Sequence, residues 1–175
     1  MSESVVLPEP TGRRFDKSSW SITGCAGREP RYIASLRLSP ENGLEQIVLG
    51  LLETYRQVEA KEIRFDTYRC EDAEVILVAF GLAARICKSA INTLREQGVR
   101  AGLFRPITLW PFPTQALRET VGAARHVLVV EMNAGQMIED VRLALGDRAP
   151  IDFYGRVGAM LVEAETIVEK VKSYA

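Results

Sequence analysis

The chain has 175 residues, room for one domain of ordinary size with an extension. Its 22 basic and 23 acidic side chains leave a net charge of −1, which excludes a basic nucleic-acid stripe and an acidic disordered tail. No apolar run approaches the roughly 20 residues that span a bilayer, and the opening MSESVVLPEP lacks the basic and apolar regions of a signal peptide. The expectation is a cytoplasmic protein with no nucleic-acid and no membrane partner.

Residues 1–39 read as an irregular tail or linker, with Pro8, Pro10, Pro30 and several glycines, and one short extended piece at RYIASLRL. A helix is expected over 40–61. Ser39 suits its cap and Pro40 its first position. Leu44, Val48, Leu51, Tyr55 and Val58 recur at spacings of four and three, one apolar stripe. This stripe is expected to pack on the domain only partly, and self-association into a homo-oligomer is one consequence.

Beyond residue 62 the pattern alternates. IRFDTYR is a short strand candidate. EVILVAF is a continuous apolar run, as a strand buried on both faces requires. A helix is expected over 82–97, with Ala84, Cys87, Ala90, Ile91 and Leu94 inward and Gly98 as its stop. VRAGLFRP is the next strand, and Thr114 is placed as the cap of a helix through Ala123. HVLVVEM is another buried strand. Asn133 or Gly135 opens a helix through Leu145, closed by Gly146. IDFYG is the last strand and EAETIVEKVKSYA a terminal helix. Strands alternating with helices define a parallel sheet covered on both faces, placed at 63–175 with residues 1–62 before it.

In such a sheet, ligands and partners meet the carboxyl ends of the strands. One loop there is RPITLWPFP, residues 105–113, where three prolines stiffen the chain around Trp110 and Phe112. A stiff loop holds its rings in one pose at small entropic cost. The rings have three options: covering a cleft, packing on another domain, or plugging the domain's own end. Glu131, Asn133 and Gln136 lie at a strand-to-helix turn, where a helix N-terminus can hold an anion. The alternative is that Asn133 is simply a cap and Glu131 a polar strand end. Arg85, Arg105 and Arg156 each lie near a strand end and keep a small-molecule site open, for coenzyme A or another acyl or nucleotide group.

Catalytic patterns are missing. There is no GxGxxG after the first buried strand, no GxxxxGK[ST], no GxSxG and no paired histidines. Cys25, Cys70 and Cys87 are widely spaced and form no CxxC, so no metal or cluster ligand pattern exists. His126, the single histidine, reads as a strand-entry residue. No catalytic, cofactor-binding or metal residue is assigned to this chain.

Four segments, EVILVAFGLAARICKSAI, GLFRPITLWPFP, VLVVEMNAGQMIEDVRLAL and FYGRVG, occur in order between Glu74 and Gly158. Together they resemble the alpha subunits of 2-oxoacid:ferredoxin oxidoreductases, most closely the 2-ketoisovalerate type and its 2-oxoglutarate relatives. The resemblance implies the domain of that subunit that is similar to the C-terminal domain of transketolase. Its fold is α/β in three layers, with a mainly parallel five-stranded sheet whose first strand, here IRFDTYR, is antiparallel. Residues 1–62 then resemble the family's connector. The implied chemistry is oxidative decarboxylation of a 2-oxoacid with thiamine diphosphate, iron–sulfur clusters, ferredoxin and coenzyme A. None of those binding residues carries over to this chain. The implied role is assembly with the other subunits, touching ferredoxin only indirectly; an independent regulatory protein is the remaining reading. Two departures stand out. Leu82 replaces the small hydroxyl residue usual after the glycine in AFGLAAR, which weakens an anion site there. GRVGAMLVEAE replaces a proline-bearing turn, which leaves the last loop's shape open.

Overall fold

The computed structural model describes residues 7–32 and 43–174. The chain divides into two units, residues 1–48 and 49–175. In the first, residues 7–32 contain turns but neither helix nor strand. One turn is closed by the Ser21 N–H donating to the Lys17 carbonyl at 2.8 Å, and Arg31 Nη1 donates back to the Ser21 carbonyl at 2.9 Å. The Ser39 cap, Pro40 and most of the RYIASLRL run lie outside the described residues. Helix α1, Leu44–Lys61, ends at the expected residue.

The second unit carries the sheet. Its elements are β1 (Phe65–Tyr68), β2 (Val75–Val78), α2 (Gly81–Glu96), β3 (Ala101–Pro106), α3 (Thr114–Val121), β4 (His126–Glu131), α4 (Met137–Leu145), β5 (Ile151–Gly155) and α5 (Ala164–Lys172). The strand order is β1-β3-β2-β4-β5. β1 runs antiparallel to β3, and all other pairs are parallel. This is the mixed five-stranded α/β sheet that the resemblance implied.

Alternation along the strands builds two cores. Leu77, Leu103, Leu128 and Val130 face α2 and α5, while Ile76, Val78, Phe104, Val127 and Val129 face α3 and α4. Every residue of β2 is buried, because β2 is central and covered on both sides. On α2 the five residues expected inward are all buried, joined by Ala83 and Ile86. The faces follow from chain direction. From β2 the chain steps to β3 on one side; from β3 it crosses to β4 and then to β5 on the other. Right-handed crossovers therefore place α2 on one face and α3 with α4 on the opposite face.

Two helix starts differ from expectation. Thr114 is not a cap: it is the first residue of α3, Pro113 holds the cap position, and no side chain caps the helix. The Thr114 N–H is already taken by the Phe112 carbonyl at 2.8 Å, and the Pro113 carbonyl accepts from Leu117 at 2.9 Å. α4 opens at Met137, later than Asn133 or Gly135, because the intervening residues are held in a side-chain-bonded turn described below.

Between β1 and β2 the chain passes against β3. A Cβ at Gly102 would lie 2.6 Å from the Arg69 carbonyl oxygen and 2.9 Å from Cys70 Cα. Both are backbone atoms, so only glycine fits. Arg95 ties the same region from α2, donating to the carbonyls of Arg69 (2.7 Å) and Ala101 (2.8 Å) and pairing with Asp72 at 2.8 Å. Gly102→Ala is expected to cost about 3 kcal/mol, the upper end for overpacking, read as a lowered urea midpoint.

Candidate functional site

The carboxyl ends of the four parallel strands lie on one edge. Their connections are Ala79–Phe80, Ile107–Pro113, Met132–Gln136 and Arg156–Glu163. β2 and β4 are neighbours, yet their chains leave toward opposite faces, so a crevice opens between their ends. A cavity of about 160 Å³ lies there, lined by Phe80, Gly81, Leu82, Ala83, Met132 and Asn133.

Glu131 organises one side of this crevice. It is the last residue of β4 and is fully buried. Its Oε2 accepts from the backbone N–H of Met137 (2.9 Å), from Asn133 Nδ2 (3.0 Å) and from the N–H of Gln136 (3.4 Å); its Oε1 accepts from the N–H of Ile138 at 3.0 Å. The α4 N-terminus, with its orphan donors and positive dipole end, is thus filled by the chain's own carboxylate. Asn133 Oδ1 accepts from the N–H groups of Gly135 (2.7 Å) and Gln136 (3.2 Å), closing the turn. The neighbouring strand presses on the same turn: a Cβ at Gly155 would lie 2.5 Å from the Asn133 carbonyl oxygen. Glu131, Asn133 and Gln136 are therefore brought together as one hydrogen-bonded unit.

The proline loop is anchored differently. The N–H groups of Ile107 and Thr108 donate to the Arg64 carbonyl at 2.9 and 3.1 Å, and Thr108 Oγ1 donates to the Pro111 carbonyl at 3.0 Å. Pro106, Pro111 and Pro113 are buried, and the Trp110–Pro111 peptide is cis. The two rings part company. Phe112 packs partly buried against the core beneath α3 and α4. Trp110 is 56 % exposed and forms an edge-to-face pair with Tyr55, with centroids 5.6 Å apart and planes at 80°. Leu52, Tyr55, Arg56, Glu59 and Trp110 line a groove of about 580 Å³ within the second unit. Sequence reasoning named Tyr55 and Trp110 separately and missed their meeting. No pattern links residues this far apart in the chain.

The arginines stay apart. Arg85 lies partly buried one turn into α2. Arg105 is on β3, partly buried, and its Nε has no hydrogen-bond partner. Arg156 follows β5 and reaches Glu163 at 3.4 Å. Two strands separate β3 from β5, so Arg105 and Arg156 start from backbones roughly 14 Å apart at ordinary strand spacing. Leu82 at the start of α2, and Ile107, Leu109, Val157, Met160 and Leu161 on the connections at this edge, are instead exposed apolar residues.

At the opposite edge His126 opens β4. Its Nε2 lies 2.8 Å from Asp152 and its ring stacks on Tyr174 at 3.7 Å. Burial and the Asp152 carboxylate push the Tyr174 hydroxyl up to about 12. The thiols lie apart: Cys25 is exposed in the first unit, Cys70 is half-buried with its thiol pushed to about 11 by burial, and Cys87 is in the core. Among the described residues no three His, Cys, Asp or Glu side chains gather as a metal-ligand set. No described helix is long and apolar enough to cross a membrane.

The mixed five-stranded sheet with this order, helices on both faces and a helix N-terminus closed by an internal carboxylate define a three-layer α/β domain. Residues 73–167 match the family described as pyruvate:ferredoxin oxidoreductase core domain II, and the chain belongs to that family, the 2-oxoacid:ferredoxin oxidoreductases. It is 37 % identical over its whole length to ketoisovalerate oxidoreductase subunit VorB of Methanothermobacter marburgensis, covering 49 % of that protein. Over 98 % of its length it is 33 % identical to 2-oxoglutarate synthase subunit KorA of Archaeoglobus fulgidus, again covering 49 %. The chain thus spans about half the length of these relatives. Among solved structures, 2-oxoglutarate:ferredoxin oxidoreductase from Magnetococcus marinus, determined with 2-oxoglutarate, coenzyme A and succinyl-CoA bound, superposes with a TM-score of 0.67 at 22 % identity. That match covers 79 % of this chain and 24 % of that one. A split-gene transketolase gives 0.55 at 20 % identity, over 63 % of this chain and 41 % of its own. These two likenesses establish the fold.

Removing the Glu131 carboxylate strands the Met137 and Ile138 N–H groups in the interior. Glu131→Ala is expected to cost about 3 kcal/mol of stability. Glu131→Gln is expected to cost less, because one side-chain oxygen still accepts. Denaturant titration gives the stability, and amide exchange at Met137 and Ile138 locates the loss.

Proposed function

We propose that this chain is the transketolase-C-terminal-like portion of the alpha subunit of a 2-oxoacid:ferredoxin oxidoreductase, of the branched-chain ketoisovalerate type. Its role is assembly, and the chemistry lies elsewhere in the complex. The observation that carries the reading is the end-to-end similarity to VorB, connector included, joined to an edge that presents apolar side chains where a catalytic edge presents converging polar ones. Residues 1–62 act as the connector and 63–175 as the domain. Trp110, Phe112 and the edge residues Arg85, Arg105, Glu131, Asn133, Gln136 and Arg156 form or support the contact surface.

Thiamine diphosphate, iron–sulfur clusters and coenzyme A are groups of the whole enzyme in this reading. The residues of this chain do not fit a cluster, since its three cysteines lie in separate surroundings. They do not fit a diphosphate at the α4 N-terminus either, because the Glu131 carboxylate occupies the position an anion needs. Binding of coenzyme A at this edge is disfavoured by the exposed apolar side chains there, Ile107, Leu109, Val157, Met160 and Leu161. Other subunits are the direct partners and ferredoxin an indirect one.

Purification of the tagged chain from its native host tests this. The expected complex contains the remaining oxidoreductase polypeptides and reduces a viologen dye with ketoisovalerate faster than with pyruvate or 2-oxoglutarate. The purified chain alone is expected to show no turnover and no thiamine diphosphate binding by calorimetry. Turnover by the chain alone with any 2-oxoacid would overturn the assembly role. Trp110→Ala is expected to lower the stability of the isolated chain by less than about 1 kcal/mol, since the ring is largely exposed, while weakening assembly by roughly 2 kcal/mol or more.

A further inference from the structure

Met160 lies in the connection from β5 to α5, and that connection is tied at both ends. At its start the Arg156 N–H donates to the Glu131 carbonyl at 3.2 Å. At its end the Glu163 N–H donates to the Tyr154 hydroxyl at 3.4 Å, and the Arg156 guanidinium reaches the Glu163 carboxylate at 3.4 Å. Between these ties the Met160 N–H donates to the Val157 carbonyl at 3.3 Å, and Gly158 and Ala159 take positive φ, 65° and 62°. Two successive left-handed residues inside such a bond are the pattern of a type I′ turn. Val162 is buried, so the turn is rooted while Val157, Met160 and Leu161 are held outward. Met160 is 54 % exposed, Met137 only 3 %, and Met132 packs partly buried against the core. Among the described residues Met160 is therefore the thioether most open to solvent.

We propose that Met160 makes assembly of this chain sensitive to oxidation by hydroperoxides. The proposal rests on the reading above, that this edge is a contact surface, and adds a chemical control over it. A sulfur lone pair of Met160 attacks one oxygen of hydrogen peroxide and breaks the O–O bond. A sulfur–oxygen bond forms, and the second oxygen leaves as water with both protons. The sulfur is oxidised by two electrons and the peroxide is reduced by two. The product is a polar sulfoxide amid Ile107, Leu109, Val157 and Leu161, the exposed apolar residues of the same edge. A sulfoxide oxygen pressed against an apolar surface loses its water and gains no donor in return. The fold does not change, because Met160 belongs to neither core. The unassembled chain is thus the oxidisable form, and assembly hides the sulfur. Cys25 is an exposed thiol and a competing target, but the two separate chemically. A thiol reductant reverses sulfenic acid and disulfide, whereas the sulfoxide needs methionine sulfoxide reductase.

The test uses the tagged full chain, both alone and in the complex purified from its native host. Each is treated with hydrogen peroxide and then dithiothreitol, and peptide mass spectrometry follows oxygen gain at each methionine from its initial rate. In the chain alone, Met160 is expected to gain one oxygen roughly tenfold faster than Met132 or Met137, and roughly tenfold faster than Met160 in the complex. The treated chain, freed of peroxide, is expected to recover about tenfold less of the oxidoreductase polypeptides from untreated host lysate, with unchanged circular dichroism. Methionine sulfoxide reductase is expected to restore recovery. Met160→Leu, which keeps the apolar surface without the sulfur, is expected to recover those polypeptides equally before and after treatment. Equal oxidation of Met160 in the chain alone and in the complex, or unchanged recovery once Met160 is oxidised, sinks the proposal. A Met160→Leu chain that loses recovery on treatment as the parent does sinks it too, since another group is then responsible. In each of these cases recovery by the untreated chain leaves the functional reading standing. If the untreated chain recovers no oxidoreductase polypeptide, both fall.

Discussion

Glu131 sets a carboxylate, sealed from solvent, at the meeting point of four N–H donors from Asn133, Gln136, Met137 and Ile138. A buried carboxylate is costly unless its oxygens are satisfied, and the orphan donors of a buried helix end are costly unless something accepts from them. Here each need answers the other. The bond network fixes where β4 ends, where α4 starts and how the turn between them lies. Because β4 is next to β2 at the point where the chain reverses direction across the sheet, the whole strand-end crevice inherits that geometry.

The same interaction bears on function by subtraction. In many α/β domains an uncapped helix N-terminus at this edge is where an anionic ligand binds. In this chain the α4 end already holds an internal anion. What the edge offers instead is apolar surface: Leu82 at the start of α2, and Ile107, Leu109, Trp110, Val157, Met160 and Leu161 on two of its connections. The proline loop explains how such surface stays ordered. Its backbone is tied to Arg64 ahead of β1, its three prolines are buried, and Phe112 roots it in the core. Trp110 can then project without the loop collapsing. A stiff loop with one rooted ring and one projecting ring is suited to recognising another protein surface, where a preordered aromatic anchor loses little entropy on contact.

Most of the sheet was readable from sequence. EVILVAF and HVLVVEM are continuous apolar runs, and strands buried on both faces have little choice but to look like that. α2 announced its buried face through small and apolar residues at helical spacing, and the α1 stripe was equally visible. The direction of β1 came from family resemblance, since nothing in a four-residue strand distinguishes parallel from antiparallel pairing. The site was less legible. Asn133 and Gln136 were identified as turn residues, but the capping role of Glu131 was not, because its donors come from residues up to seven positions later and only the closed turn brings them within reach. Thr114 looked like a cap by residue type and failed as one because Pro113 had already fixed the helix entry.

The sequence by itself determined the period and order of the elements, the apolar stripe of α1 and the stiffness of the proline loop, since these depend on residues close together in the chain. Tertiary structure decided what those local features meet. It placed Tyr55 against Trp110, separated Arg105 from Arg156 by two strands, and turned Glu131 from a strand end into the anchor of α4. The physical reason is that burial and pairing are properties of surfaces brought together by strand order. Strand order follows from crossover connections and from which faces need covering, and no short stretch of sequence contains either.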